Sequence, residues 1–227
     1  MKIKTALILC AGYGKRLSPL TNDIPKPLLK VKNMNLLENT LKFAQSIGIT
    51  KLKINTFYLS EQIKNFVDKQ NFPLNIEVIK DGEKILDTGG GIYNLIKDTE
   101  EEDFLTLNPD TLWNSNYINI FNKMEKFYFK NKIKNLLMVV KKNISFDIRF
   151  KGDFNLDGNI LSKESKNEFI YTGCQILNRQ IFKIMKKNIF SMSEIWNDLL
   201  DKKDLYGYES LNEFVHLTDI EIFKKLN

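Results

Sequence analysis

The strongest constraint on the fold of this chain is an apolar run that stops at a glycine-spaced loop. The run covers Ala6 to Cys10 and is followed directly by Ala11-Gly12. A short, uninterrupted apolar run bounded by glycine is typical of a strand buried on both faces, as in the middle of a parallel sheet. We therefore expect a central strand whose carboxyl end opens into a loop that can bind a ligand.

The residue types in this loop are those of an anion site. Gly12 and Gly14 let the backbone approach a ligand closely, so that successive N–H groups can point at one anion. Arg16 adds a planar guanidinium that can bind two phosphate oxygens at once. Lys26 stands between two prolines, which fix the direction of its side chain. The pattern predicts a phosphate-binding loop; an ordinary strand–loop turn is the alternative.

Two common phosphate motifs do not match this loop. A dinucleotide fingerprint needs a third glycine where Leu17 stands, and a Walker A loop needs Ser or Thr after its lysine, where Arg16 follows Lys15. The stretch AGYGKRLSPLTNDIPKPL instead resembles the signature of the sugar-phosphate nucleotidyltransferases, roughly A-G-x-G-x-R-L-x-P-L-T-x-x-x-P-K-P-L. By this resemblance Arg16 and Lys26 are catalytic, and the nucleotide contacts Ala11, Gly12 and Gly14.

Segments with strand and helix patterns alternate along the chain. Helical spacing is seen at 35–47 and 60–70, the second with Ser60 as its expected cap, and strand patterns at 51–57 and 74–80. This alternation predicts a layered α/β fold. The resemblance implies one domain with a three-layer α/β/α, Rossmann-like (GT-A-like) fold and a mixed, mainly parallel sheet. Its nucleotide-binding part would cover about 1–114 and its sugar-phosphate-binding part about 115–227.

A glycine-rich turn, Asp87-Thr88-Gly89-Gly90-Gly91, precedes the next helical pattern. Three glycines weaken a helix unless a ligand needs access to the backbone, and N–H groups at a helix start favour anions and acceptors. A loose turn is the alternative. The form L-D-T-G-G-G resembles the nucleobase loop of the N-acetylmuramate-1-phosphate uridylyltransferase branch of the family. By that resemblance Thr88 and Gly89 would hold the base.

A carboxylate follows the strand pattern in DFLTLNPDTLW, within Asn108-Pro109-Asp110. Just past the carboxyl end of a central strand it is well placed for Mg²⁺, although an aspartate in a proline turn is the alternative. The family has N-G-D or similar here, and its aspartate binds the metal. The resemblance therefore implies that Asp110 binds Mg²⁺ and that Asn108 lies at the nucleotide.

The second metal ligand of the family is an aspartate in a W-x-D-x-G-T element, and here the chain departs from the pattern. The matching position is His216, in NEFVHLTDIEIFKKL. Imidazole is a poor ligand for Mg²⁺. Asp219 is the other candidate. However, residues Thr218–Glu221 have the pattern of a capping box, which explains an acidic residue at this position without a metal. The second ligand stays open between His216 and Asp219.

The acceptor side is expected in two further segments. A hairpin is predicted at 146–161, FDIRFKGDFNLDGNIL. This segment resembles the acceptor segment of the family, so Lys151 and Asp153 would face the sugar phosphate. The alternative is that these two residues are exposed charges on the hairpin. EFIYTGCQILN (168–178) predicts a strand in which Thr172 and Gly173 resemble an F-x-G element near the sugar. Helices are predicted at 179–187 and at 193–202, the latter capped by Ser193.

Charge and composition exclude other classes. The net charge is +6, from lysines spread along the 227 residues, and nucleic-acid binding would need a local basic patch. The longest apolar runs fall well short of about 18 residues, so no membrane span is expected. The N-terminal apolar run is too short for a signal peptide. Cys10 and Cys174 lie in apolar runs and are expected to be free thiols in a reducing cytoplasm.

The resemblance implies an Mg²⁺-dependent enzyme of NDP-sugar and cell-wall biosynthesis, acting in the cytoplasm as a monomer or homodimer without membrane or nucleic-acid partners. It would condense an NTP with a sugar 1-phosphate. The branch points to UTP and N-acetylmuramate 1-phosphate, although the residues leave the base and the sugar open. The alternative is a non-catalytic protein that binds nucleotides or sugar phosphates with a degenerate metal site.

Overall fold

A computed structural model describes residues 2–70 and 72–227. The strands are β1 (Thr5–Leu9), β2 (Lys30–Val31), β3 (Met34–Asn35), β4 (Lys51–Thr56), β5 (Asn75–Lys80), β6 (Asp103–Leu107), β7 (Asn135–Lys141), β8 (Asn155–Asp157), β9 (Ile160–Ser162), β10 (Phe169–Asn178) and β11 (Tyr206–Ser210). The α-helices are α1 (Leu36–Ser46), α2 (Ser60–Lys69), α3 (Asp87–Ile96), α4 (Asn116–Lys130), α5 (Met192–Asp201) and α6 (Ile220–Leu226).

Nine of these strands form one sheet in the order β5-β4-β1-β6-β10-β7-β11-β9-β8. Strands β5, β4, β1 and β6 are parallel, and β11 is parallel to β7. Strand β10 is antiparallel to both of its neighbours, and β8 and β9 form an antiparallel hairpin at the edge. The mixed, mainly parallel sheet predicted from the sequence is confirmed.

Helices cover both faces of the sheet, and alternate residues of β1 point into the two cores. Ala6 and Ile8 belong to the core under α1, α2 and α4, whereas Leu7 belongs to the core under α3 and α5. All three side chains are fully buried. Burying a leucine or isoleucine contributes about 1.5–3 kcal/mol, so this strand is a main source of the stability of the fold. The three-layer arrangement follows from its two-sided apolar pattern.

The glycine tract differs from the prediction because it lies inside a helix. Helix α3 starts at Asp87, so the glycines form its first turns. A Cβ atom on Gly89 would meet the ring of Phe190, one on Gly90 would meet the carbonyl of Asn188, and all three glycines are buried. The absence of side chains therefore lets α3 pack closely on the segment that precedes α5.

Two predicted helix caps are wrong. Helix α2 begins at Ser60, but its preceding residue is Leu59 at φ 49°, and no side chain caps this end. Helix α5 is capped two residues earlier than expected, by Ser191, which forms a capping box with Glu194. Both errors have the same cause. A serine near the start of a helical pattern indicates that a helix begins nearby, but it does not identify the capping residue itself.

Two other segments are shorter than predicted. The helix expected at 179–187 is a 3₁₀ helix at Arg179–Ile184. The hairpin expected at 146–161 is present only as β8 and β9, where Asp157 pairs with Ile160, and the preceding residues form a loop. Cys10 and Cys174 are buried and free, as expected. Within the described residues, no helix is both long enough and apolar enough to cross a bilayer.

Candidate active site

The two predicted loops meet at one edge of the sheet because β1 and β6 are parallel neighbours, with Ile8 opposite Leu107. A cavity of about 400 Å³ lies between them, at the carboxyl ends of the strands. We call this space the nucleotide cavity. Residues that are far apart in the sequence share it. The predicted residues that line it are Ala11, Gly12, Gly14, Arg16, Lys26, Thr88, Asn108 and Asp110.

The glycine loop is held in shape by the protein itself. Gly14 is in the left-handed region at φ 66°, which a side chain would disfavour, and its carbonyl accepts a hydrogen bond from Thr21 Oγ1 at 3.0 Å. The hydroxyl of Tyr58 lies 3.0 Å from the carbonyl oxygen of Thr21 and 2.8 Å from that of Asn22. The loop is therefore preorganised, and a ligand does not have to order it.

Asn55 is a site residue that the sequence analysis missed. It is the penultimate residue of β4, opposite Leu9 of β1, and its Oδ1 accepts a hydrogen bond of 2.9 Å from the N–H of Cys10. Its Nδ2 donates to Oδ2 of Asp81 at 3.0 Å. Desolvation raises the pKa of the buried Asp81 carboxyl. The available signal was a polar residue near the end of a buried parallel strand.

Lys26 and Asp110 form an ion pair at the floor of the nucleotide cavity. Lys26 Nζ lies 2.6 Å from Asp110 Oδ2, and the two side chains are 15% and 19% exposed. His216 Nε2 lies 3.2 Å from the same oxygen. Burial alone would raise the pKa of Asp110, but Lys26 and His216 together hold it well below its usual range. Asp110 is therefore ionised at neutral pH.

His216 is fixed at this position by its own neighbours. It forms a β-bridge with Thr111, and its ring centroid lies 5.9 Å from those of both Phe150 and Phe214. Its Nδ1 lies 3.1 Å from Thr218 Oγ1. His216 is therefore held beside Asp110, at the position for which the resemblance implies an aspartate.

Asp219 is engaged elsewhere. It caps α6, where its Oδ1 accepts hydrogen bonds from the N–H groups of Glu221 and Ile222, both at 3.0 Å. Its Oδ2 accepts one of 2.8 Å from Arg149. Of the two candidates for a second metal ligand, His216 is the one that contacts Asp110.

The remaining donor set fits a single-carboxylate magnesium site. Oδ1 of Asp110 is buried and has no hydrogen-bond partner among the described residues. A hard, orphaned carboxylate oxygen is the kind of ligand that Mg²⁺ prefers, with phosphates and waters completing its shell. In residues 2–70 and 72–227, no group of three or more His, Cys, Asp or Glu side chains is arranged to hold a metal.

The predicted acceptor residues are divided between two environments. The carbonyl of Gly173 accepts a hydrogen bond of 2.8 Å from the N–H of Asn108, so β10 abuts the nucleotide cavity. Thr172 is buried, and its hydroxyl donates to the carbonyl of Met138. Asp153 lies in a second cavity of about 140 Å³.

Lys151 and Gly89, like Thr172 and Gly173, line neither cavity. Lys151 is exposed on the loop before β8. Gly89 is buried against Phe190.

A family model described as "Nucleotidyl transferase" matches residues 5–146, more than half of the chain. The chain belongs to the sugar-phosphate nucleotidyltransferases. Among its relatives, D-glycero-alpha-D-manno-heptose 1-phosphate guanylyltransferase of Aneurinibacillus thermoaerophilus is 25% identical over 97% of this chain and 95% of that protein. N-acetylmuramate alpha-1-phosphate uridylyltransferase of Caulobacter vibrioides is 23% identical over 95% and 92%.

Solved structures agree on the fold of this nucleotidyltransferase. A UDP-glucose pyrophosphorylase complexed with UDP-glucose superposes with a TM-score of 0.79 and 17% identity, covering 99% of this chain and 97% of that one. An inositol-1-phosphate CTP transferase from T. maritima gives 0.78 and 13%, covering 99% and 96%. These enzymes are named for different nucleotides and acceptors, so the shared fold alone does not select a substrate pair.

Proposed function

We propose that this nucleotidyltransferase condenses an NTP with a sugar 1-phosphate to give an NDP-sugar and pyrophosphate. The observation that supports this most directly is the Lys26–Asp110 pair at the floor of the nucleotide cavity, beside a preformed glycine loop. The lysine at this point can neutralise two phosphate groups that repel each other, and the carboxylate beside it can hold a divalent cation. The relatives of this chain are named for nucleotidyl transfer to several phosphorylated acceptors.

The reaction needs alignment more than proton transfer. A phosphate oxygen of the sugar 1-phosphate is already ionised at pH 7 and forms a bond to the α-phosphorus of the NTP. The bond from the α-phosphorus to the bridging oxygen breaks, and pyrophosphate leaves with the electron pair. Lys26 binds the α-phosphate and the attacking phosphate. Arg16, exposed at the mouth of the cavity, binds the β- and γ-phosphates as they depart.

Asp110 is the residue that would hold Mg²⁺. An ion held there would supply positive charge that offsets the charge on the substrate phosphates. Lys26 and His216 contact the other oxygen of the Asp110 carboxylate. Ala11, Gly12 and Gly14 place backbone groups along the nucleotide, with Asn108 and Thr88 at the walls of the cavity. Gly89 contributes to the base pocket indirectly, because its lack of a side chain lets α3 pack against Phe190.

UTP is the nucleotide we propose first, with N-acetylmuramate 1-phosphate as the first acceptor. The uridylyltransferase from Caulobacter vibrioides supports this pair, and the guanylyltransferase relative makes GTP the main competitor. In this proposal residues of about 1–114 bind the nucleotide, and residues of about 115–227 bind the sugar phosphate. We further propose action in the cytoplasm as a monomer or homodimer.

The decisive experiment measures pyrophosphate release from each of the four common NTPs with a panel of sugar 1-phosphates, with Mg²⁺ and with EDTA. Metal-dependent release with one pair and a matching NDP-sugar in the product establishes the activity. No release from any pair by folded protein contradicts it.

The histidine beside Asp110 favours one alternative, a non-catalytic protein that binds the same ligands. Calorimetry with UTP and CTP tests this alternative: tight binding that is insensitive to Mg²⁺, together with no turnover, supports it. Binding that strengthens with Mg²⁺ together with turnover excludes it.

A further inference from the structure

His216 places a nitrogen donor beside the carboxylate of Asp110. Its Nε2 lies 3.2 Å from Asp110 Oδ2. Two ligands bound at right angles to one octahedral ion, each about 2.1 Å from it, lie about 3.0 Å apart. The distance between these two atoms is therefore close to that between neighbouring ligands of one metal ion, and little movement would let them bind an ion together.

The other ring nitrogen of His216 contacts Thr218. Nδ1 lies 3.1 Å from Oγ1 of Thr218, and the same hydroxyl donates to the carbonyl oxygen of His216 at 3.5 Å. The hydroxyl oxygen can then accept a hydrogen bond from Nδ1–H, which leaves the lone pair of the ring on Nε2. Histidines that bind metals commonly have this arrangement, because the hydrogen bond fixes both the tautomer and the direction of the ring. Thr218 therefore prepares Nε2 to act as a metal ligand.

The imidazole is also held in place by its packing. Its ring centroid lies 5.9 Å from those of Phe150 and Phe214, and its side chain is 15% exposed, against 19% for Asp110. A side chain that is already ordered loses little conformational freedom when it binds a ligand. Asp110 and Thr218 both line the nucleotide cavity, so an ion held by Asp110 and His216 would lie within reach of the phosphates of a nucleotide.

Lys26 competes with a metal ion for this carboxylate. Its Nζ lies 2.6 Å from the same Oδ2 that faces His216. In the proposed reaction the phosphates attract the lysine ammonium, which frees Oδ2. The ion should therefore bind most tightly together with an NTP, whose phosphate oxygens complete its shell along with water.

A nitrogen donor changes the choice of ion. Mg²⁺ prefers hard oxygen ligands, and imidazole is a poor ligand for it. Mn²⁺ accepts carboxylate and water oxygens as Mg²⁺ does, and as a first-row transition metal it also binds at sites with nitrogen ligands. The Asp110 carboxylate alone suits either ion, whereas Asp110 and His216 together suit Mn²⁺ better.

From this geometry we propose that Asp110 and His216 together bind a divalent transition-metal ion such as Mn²⁺, and that His216 makes the site prefer Mn²⁺ to Mg²⁺. This inference rests on the proposed function, because the NTP supplies the remaining ligands. Mg²⁺ at this site is held by the Asp110 carboxylate without the imidazole. Both ions therefore support turnover, and Mn²⁺ does so at the lower concentration.

The first test is a calorimetric titration of the protein with Mn²⁺ and with Mg²⁺ in the presence of an NTP and without acceptor, so that no turnover occurs. The same NTP free in solution is the reference, since it binds both ions itself. The preference of wild type for Mn²⁺ should exceed that of the free nucleotide at least about tenfold. His216→Asn should reduce this excess to less than about twofold, and His216→Asp should shift the preference towards Mg²⁺.

The second test is spectroscopic and uses the fact that His216 is the only histidine in the sequence. Pulsed electron paramagnetic resonance of Mn²⁺ bound to tag-free wild type should show coupling to a ¹⁴N nucleus. Protein labelled with [¹⁵N]histidine should show ¹⁵N coupling instead, which also distinguishes His216 from the nitrogens of a purine base. This measurement needs no variant, so it holds even if a substitution at position 216 impairs folding.

Spectra are recorded with Mn²⁺ alone and with each of the four common NTPs. Absence of ¹⁵N coupling under all of these conditions overturns the inference. A preference for Mn²⁺ no greater than that of the free nucleotide, or an equal preference in wild type and His216→Asn, also overturns it.

Failure of the proposed function gives a different result. Coupling to His216 together with no pyrophosphate release from any pair of substrates supports the metal site and refutes the function. Pyrophosphate release without coupling to His216 supports the function and refutes the role of His216 as a metal ligand.

Discussion

Lys26 Nζ lies 2.6 Å from Oδ2 of Asp110, although 84 residues separate the two in the chain. Lys26 opens a short 3₁₀ helix after the glycine loop, and Asp110 follows β6. Because β1 and β6 are adjacent and parallel, the two loops meet at one edge of the sheet. The nucleotide cavity therefore contains a cation and an anion in direct contact, brought together by two loops that are distant in the sequence.

Lys26→Ala should reduce nucleotidyl transfer at least about 100-fold, because the two reacting phosphates lose the cation that neutralises both. The free energy of unfolding should fall by less than the free energy of activation rises, since His216 still contacts Asp110. Pyrophosphate release and thermal unfolding measure the two effects. Lys30→Ala, an exposed lysine in β2, is the matched control and should match wild type. Wild-type turnover in Lys26→Ala would refute the assigned role.

His216→Asp should lower the Mg²⁺ concentration for half-maximal activity about tenfold, because a second carboxylate would adjoin Asp110. Without metal the two carboxylates repel each other, so the variant should unfold at a lower temperature in EDTA and recover when Mg²⁺ is added. A metal titration of thermal unfolding gives this readout without any turnover. His216→Asn is the control, and an equal response in both variants would argue against metal binding at Asp110.

Gly90→Ala should destabilise the protein by about 2 kcal/mol, although alanine favours a helix over glycine by about 1 kcal/mol. The new methyl group would meet the carbonyl of Asn188. Urea unfolding measures the difference.

Gly12→Ala is the contrasting variant, since a Cβ atom on Gly12 would meet no protein atom within 4 Å. It should keep the stability of wild type but bind NTP about tenfold more weakly, because the methyl would occupy ligand space. Calorimetry checks this, and a stability loss equal to that of Gly90→Ala would show that both glycines serve packing.

Asp147→Asn should lower stability by about 1 kcal/mol at pH 7. Hydrogen bonds from Arg149 hold the pKa of Asp147 at about 2, below its ordinary 3.8. Since the folded-state pKa is depressed, this contribution is complete above about pH 4 and is lost as the pH falls towards 2. The gap between variant and wild type in urea unfolding should therefore close over that range. Asp157→Asn, on the exposed hairpin, is the control, and a pH-independent gap would contradict the explanation.

The sequence predicted the sheet, and it predicted the loop that carries Arg16 and Lys26 to the cavity at the end of β1, because the signals for both are local. The backbone of Lys26 was not predicted: the following proline favours an extended conformation, but Lys26 begins a 3₁₀ helix. The link from Asn55 to Cys10 could not be predicted, because it depends on the register between β4 and β1.

The role of the glycine tract was also beyond local reasoning. Gly89 packs against Phe190, about 100 residues away in the sequence. A glycine is needed both where another segment packs closely and where a ligand approaches the backbone, so the sequence alone does not distinguish the two.

The reversed strand β10 has an evolutionary consequence. On one side of it lie the parallel strands that shape the nucleotide cavity; on the other lie β7, β11 and the β8–β9 hairpin. The hairpin lies at the far edge of the sheet from the strands that bring Lys26 to Asp110, so substitutions in it can change that edge without moving either residue. Helix α5 lacks this freedom, because the N–H of its first residue, Met192, donates to Thr88 in the wall of the nucleotide cavity.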